Sequence, residues 1–144
     1  MGGANIQVEQ GEFVSIIGPN GSGKSTLLKT VYRALVPQEG AVYLDGQELS
    51  MISLKTMAQK LSVVGQENEI PFDFQVQDIV AMGRTPYKKL FDIDMKKDKE
   101  FIRLALQRTG TSDKSEKNYR QSSGGEKQRV IIARALAQQS ELLI

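Results

Sequence analysis

The chain has 144 residues, with 19 Lys and Arg against 17 Asp and Glu, no His, no Cys and 40% hydrophobic residues. That length and balance suit one compact globular unit, and a net charge of +2 gives no electrostatic reason to expect nucleic acid or an anionic membrane surface as a partner. The absence of Cys excludes a disulfide framework and thiolate metal sites, and no apolar run approaches the roughly 18 residues of a membrane-spanning helix.

The stretch Phe13 to Ile17 is apolar and rich in β-branched residues, and it closes at Gly18, the pattern of a strand buried on both faces of a parallel sheet. From Lys24 to Leu35 the apolar residues Leu27, Leu28, Val31, Ala34 and Leu35 recur at helical spacing, with Pro37 as a stop. Strand, glycine-rich loop and helix together open an α/β unit. Ala41 to Leu44 then alternates into Asp45-Gly46, a strong hairpin signal, and Leu61 to Val64 reads as a buried strand ending at Gly65-Gln66.

Beyond Gln66 the texture becomes helical. Asp78 to Met82 and Lys97 to Thr109 are predicted helices, the second with Phe101, Ile102, Ala105 and Leu106 on one side and Gly110 as its C-terminal cap. The polar stretch Thr109 to Ser123, with Tyr119 as its only aromatic, is expected to be a solvated loop or a marginal helix. A further helix is predicted from Gly124 to about Gln138 on a spine of Val130, Ile131, Ala133, Arg134 and Leu136, and Glu141 to Ile144 begins another buried strand. No internal repeat or low-complexity segment interrupts this order.

Gly18-Pro19-Asn20-Gly21-Ser22-Gly23-Lys24-Ser25 fits the phosphate-loop pattern G-x-x-x-x-G-K-S/T. Glycines let such a loop curl until successive backbone N–H groups point at phosphate oxygens. Lys24 would reach the β and γ phosphates as a point charge, Ser25 would give its hydroxyl to Mg²⁺, and Thr26 can donate to the α phosphate. A flexible Gly/Ser loop ahead of a chance Lys is the bland alternative; the predicted strand before and amphipathic helix after weigh against it.

Ser122-Ser123-Gly124-Gly125-Glu126 is followed by Lys127-Gln128-Arg129. Ser123 and Glu126 form S-x-x-E ahead of an apolar helix, a capping box that by itself marks only a helix start. Two glycines also leave that helix end open, so Ser123 and the Gly125 N–H can take a phosphate brought from elsewhere.

With both motifs in this order, the chain resembles the ABC ATPase family. The resemblance runs from Gly11-Glu12-Phe13 through the phosphate loop, Leu44-Asp45-Gly46, Val63-Val64-Gly65-Gln66, Ser123 to Arg129 and Ala133-Arg134-Ala135-Leu136. It implies an α/β P-loop NTPase core with a mainly parallel sheet and a helical arm, divided here as core 1–66, arm 67–121, and signature helix with the next core strand 122–144. It also implies ATP and Mg²⁺ as ligands, with Gln66 joining Ser25 at the metal, and Ser123, Gly124, Gly125 and Glu126 facing the ATP of a second subunit. Implied partners are that second ATPase subunit, in a head-to-tail homodimer, and membrane permease subunits. No nucleic acid is expected, and the place implied is the cytoplasmic inner face of the cell membrane. Asp78 to Tyr87, with Gly83-Arg84 and Pro86, looks like the arm of importers for iron chelates, haem or cobalamin.

Several family features have no counterpart. The family's strand-end Asp and Glu and its later His are not found here, nor is its adenine-stacking aromatic, so the chain is expected to be truncated at both ends and to hold no catalytic residue of its own. Ser122 stands where the family usually has leucine, and Ser112 to Lys117 replaces a more apolar stretch. The alternatives are a non-transport ABC-type ATPase of DNA repair or translation, and a nucleotide-binding fragment without turnover. No heptad run lies between Gln66 and Ser122 to signal the coiled coil of the repair type.

Overall fold

The computed structural model describes residues 3–65, 70, 72–88 and 95–144. They form two compact units, Met1–Ile52 and Ser53–Ile144.

In the first unit, helix α1 spans Lys24–Val31, and strands β1 (Tyr43–Leu44) and β2 (Gln47–Glu48) pair antiparallel. The hairpin follows from its turn: Asp45 and Gly46 have φ of 51° and 74°, the double left-handed conformation of a type I′ turn. Helix α1 stops earlier than its apolar spacing predicts. Arg33 adopts φ 59°, which no continuing helix allows, and its guanidinium Nη1 donates to the Ile52 carbonyl at 2.7 Å. The predicted strand Phe13 to Ile17 has no regular secondary structure and joins no ladder, with Phe13 94% and Ile17 91% exposed. A parallel strand takes its hydrogen bonds from segments distant in sequence, and the only ladder described within this unit is the β1–β2 hairpin.

The second unit is built on three helices, α3 (Val76–Ala81), α4 (Met95–Arg108) and α5 (Gly124–Ala137). They enclose one apolar cluster of Val76, Ile79, Val80, Ala105, Leu106, Tyr119, Val130, Ile131, Ala133 and Ala137. Helix α4 ends as its sequence predicts. Gly110 has φ 63°, the Thr111 N–H reaches Leu106 O at 3.0 Å and the Gly110 N–H reaches Gln107 O at 3.2 Å, the two bonds of a Schellman cap.

Strand β3 (Leu61–Ser62) pairs parallel with β4 (Leu142–Leu143), and Val64 N–H to Ile144 O at 2.6 Å carries the pairing further. Both strands fall where apolar runs predict them. Helix α2, Leu54–Lys60, is an addition; the Ser53 hydroxyl caps it by accepting from the Thr56 N–H at 3.1 Å.

The stretch Thr109 to Ser123 is neither wholly solvated nor a single helix: Ser112, Asp113, Glu116 and Arg120 are exposed, while Thr111, Tyr119 and Ser122 are buried. Two 3-10 turns, at Ser112–Lys114 and Tyr119–Gln121, fold it onto α3, and Tyr119 is only 2% exposed. Backbone bonds hold it there: Val76 N–H to Lys117 O at 3.0 Å, Gln77 N–H to Ser115 O at 2.9 Å and Tyr119 N–H to Phe74 O at 2.9 Å.

Candidate functional site

The glycine-rich loop is curled by its glycines. Gly21 and Gly23 have φ of 82° and 90°, values that a side chain disfavours, and a Cβ on Gly18 would stand 3.0 Å from Ser22 Oγ. The Ser22 N–H closes the turn on Pro19 O at 3.3 Å. Lys24 then folds back over it, its ammonium donating to Gly18 O and Pro19 O at 2.8 Å each and to Ser22 Oγ at 3.4 Å.

Helix α1 starts directly from the loop with Gly23 as its N-cap, and no side chain caps it. Its first N–H groups therefore lack the hydrogen bond that a Ser or Asp cap would provide, and no acidic residue lies in the first turn. Ser25 and Thr26, in that turn, are exposed, as are Pro19 and Asn20. The arrangement is an exposed glycine loop with a fixed cation and a positive helix end without a side-chain cap, which fits a phosphate chain. Among the predicted metal ligands only Ser25 is described. Gln66 lies outside the described residues, and no group of acidic or His residues able to hold a metal occurs among those described.

The second motif sits at the N-terminus of α5. Ser123 Oγ accepts from the Glu126 N–H at 3.4 Å while the Ser123 N–H donates to Glu126 Oε2 at 2.8 Å, so the predicted capping box is formed. The Ser123 hydroxyl hydrogen is left to donate elsewhere. A Cβ on Gly124 or Gly125 would meet nothing within 4 Å, so this helix end faces open space.

Lys114 and Lys117 are the residues that the sequence reading missed. Lys114 Nζ lies 2.6 Å from Glu126 Oε1 and Lys117 Nζ 3.5 Å from Oε2. The Lys114 hydrogen bond, the Ser123 N–H and the two ammonium charges hold the Glu126 carboxyl at about 2, well below the ordinary 4.5. Nothing in their spacing marks them, because the segment from Ser112 to Lys117 that delivers them is held by backbone bonds from α3 to Ser115 and Lys117.

A family model described as ABC transporter matches residues 1–144. The chain belongs to this family. It is 38% identical over 139 residues to the ferric enterobactin transport ATP-binding protein of Escherichia coli, covering 96% of this chain and 51% of that protein. It is 40% identical over 140 residues to the iron(3+)-hydroxamate import ATP-binding protein of Bacillus subtilis, covering 97% and 52% respectively. The structure of cbiO1 from Clostridium perfringens, part of the ABC transporter complex cbiONQ, superposes with a TM-score of 0.83 at 27% identity, covering 98% of this chain and 56% of that one. The chain therefore spans about half the length of the curated relatives it matches.

Membership bears out the P-loop NTPase reading of the core and its resemblance to importer ATPases of the iron-chelate type. No helix among the described residues is long and apolar enough to cross a membrane.

Proposed function

We propose that this chain supplies nucleotide-binding parts of an ATP-driven importer, with an iron chelate or related cofactor as cargo. The observation that carries the reading is the Lys24 ammonium bound by the loop's own carbonyls at the mouth of an uncapped helix. Gly18 to Thr26 would bind the ATP phosphates, with the Ser25 hydroxyl toward Mg²⁺ and Gln66 as its second protein ligand. Bound Mg²⁺ would neutralise developing charge on the phosphates, and the chain's own part is to orient them and exclude misaligned water.

Ser123 to Glu126 would meet the nucleotide of a second copy in a head-to-tail homodimer. Membrane permease subunits would complete the assembly on the cytoplasmic face. The names of the enterobactin and hydroxamate relatives support the cargo class, and they favour transport over DNA repair or translation. The division into core 1–66, arm 67–121 and signature segment 122–144 belongs to the same reading.

Two measurements test it. Mg-ATP binding to the chain should depend on Lys24, and cells lacking the full-length gene should lose ATP-dependent uptake of a radiolabelled ferric chelate. Nucleotide binding indifferent to Lys24 would sink the site; unchanged uptake would sink the cargo.

A further inference from the structure

Gly83 and Arg84 lie in the 3-10 turn Met82–Tyr87 that follows α3, outside both the phosphate loop and the signature. Arg84 is only 5% exposed. Its Nε donates to Asp98 Oδ1 on α4 at 2.7 Å, and its Nη1 donates to the carbonyls of Ala137 at 2.9 Å and Gln138 at 3.4 Å. The guanidinium carbon stands 4.0 Å from the Tyr87 ring centre and 4.6 Å from that of Phe101.

The last carbonyls of a helix have no partner inside it and carry its negative end, so a planar cation with fixed donors suits the end of α5. A lysine could neither fork between two carbonyls and a carboxylate nor stack between two rings. Gly83 makes a second, independent approach to the same place. A Cβ there would fall 2.2 Å from the Arg134 carbonyl oxygen, so the turn's backbone rests directly on the last turn of α5.

A buried ion pair is seldom more stabilising than apolar packing of the same volume, so stability alone does not account for this arrangement. What it does supply is a fixed geometry. We propose that Arg84 is a positioning residue for the signature. By fastening the C-terminal end of the 14-residue helix α5 to α4, it sets where Ser123 and the Gly125 N–H, at the other end of the same rigid rod, meet a phosphate. The inference rests on the nucleotide-binding reading above.

The test uses the full-length protein with Arg84→Met, Asp98→Ala and Asp98→Asn, measuring Mg-ATP affinity, kcat at saturating ATP and thermal midpoint. Affinity should stay within about twofold of wild type in all three, because the phosphate loop is untouched. The kcat of Arg84→Met should fall about ten- to hundredfold, the scale on which a displacement of roughly 1 Å acts on a reacting geometry. Asp98→Ala should share part of that loss. Asp98→Asn, whose amide oxygen can still accept from Nε, should recover most of it, whatever the folding yield of Arg84→Met. Unchanged kcat in Asp98→Ala, or losses of kcat that follow the thermal midpoint with no rescue by Asp98→Asn, would overturn the proposal. Loss of Lys24 dependence in wild-type binding would instead overturn the reading on which it rests.

Discussion

The Lys24 ammonium donates to the Gly18 carbonyl oxygen at 2.8 Å, a contact across six residues that closes the loop on its own cation. Neutral carbonyls are weaker acceptors than phosphate oxygens, so the ammonium waits in place for a better partner. Phosphate can then exchange for Gly18 O and Pro19 O while the curl of the loop persists, and little ordering cost falls on binding.

Lys24→Ala removes that cation. A charge-assisted contact is worth about 1.5 to 3 kcal/mol, which corresponds to a ten- to hundredfold loss in Mg-ATP affinity. Titration calorimetry on the two proteins checks it, with equal affinities as the contrary result. The thermal midpoint should hardly move, because the ammonium's hydrogen bonds among the described residues go to its own loop.

Glycines in the second unit separate packing from function. Gly83→Ala places a methyl 2.2 Å from the Arg134 carbonyl oxygen, which is backbone and cannot rotate away, so destabilisation of about 1 to 3 kcal/mol is expected. Gly124→Ala places its methyl in open space at the first position of α5 and should leave stability unchanged or slightly raised. Urea unfolding distinguishes them. A loss of stability in Gly124→Ala comparable to that of Gly83→Ala would contradict the open helix end.

What the sequence made legible was local chemistry. Asp45-Gly46 dictates its turn, Gly110 ends α4, and Ser123 with Glu126 starts α5, because each feature depends on residues at most five apart. What escaped depends on distant partners. Tyr119 lies in a polar stretch yet joins the core, since backbone bonds to Phe74 and Val76 carry it there. The segment from Phe13 to Ile17 shows the opposite error, an apolar pattern read as a buried strand where no neighbouring strand is described within its unit. Arg84 was visible as a distinctive residue, but its role needed the end of α5, 53 positions away.

Ser122 is 7% exposed and its Oγ is buried without a hydrogen-bond partner among the described residues. An unsatisfied buried hydroxyl costs roughly 1 to 3 kcal/mol. Ser122→Ala removes it and leaves almost no cavity, so stability should rise by up to about 1 kcal/mol, read as a higher urea midpoint at constant slope. A lower midpoint would show that the hydroxyl is bonded after all.

Glu126 gives the second unit an acid-sensitive joint. Its carboxyl titrates near 2 because Lys114 hydrogen-bonds to it, the Ser123 N–H does the same, and the charges of Lys114 and Lys117 favour the ionised form. The folded value lies below the ordinary 4.5, so the folded state binds its proton less readily than the unfolded chain. Its contribution to stability is therefore complete above pH 4.5 and is lost as pH falls from there through about 2. Other carboxylates titrate in the same window, and a single acid curve would mix them. The decisive quantity is the difference between wild type and Glu126→Gln, whose amide oxygen still accepts from the Ser123 N–H but cannot pair with the lysines. Urea unfolding at pH 7, 4.5, 3 and 2 should show wild type more stable at the first two values and the gap narrowing at the lower two. High salt should narrow the gap at pH 7 as well, because the Lys117 contact at 3.5 Å is a screened charge pair. A gap that stays constant from pH 7 to 2 would mean that the ion pairs are not what holds the N-terminus of α5.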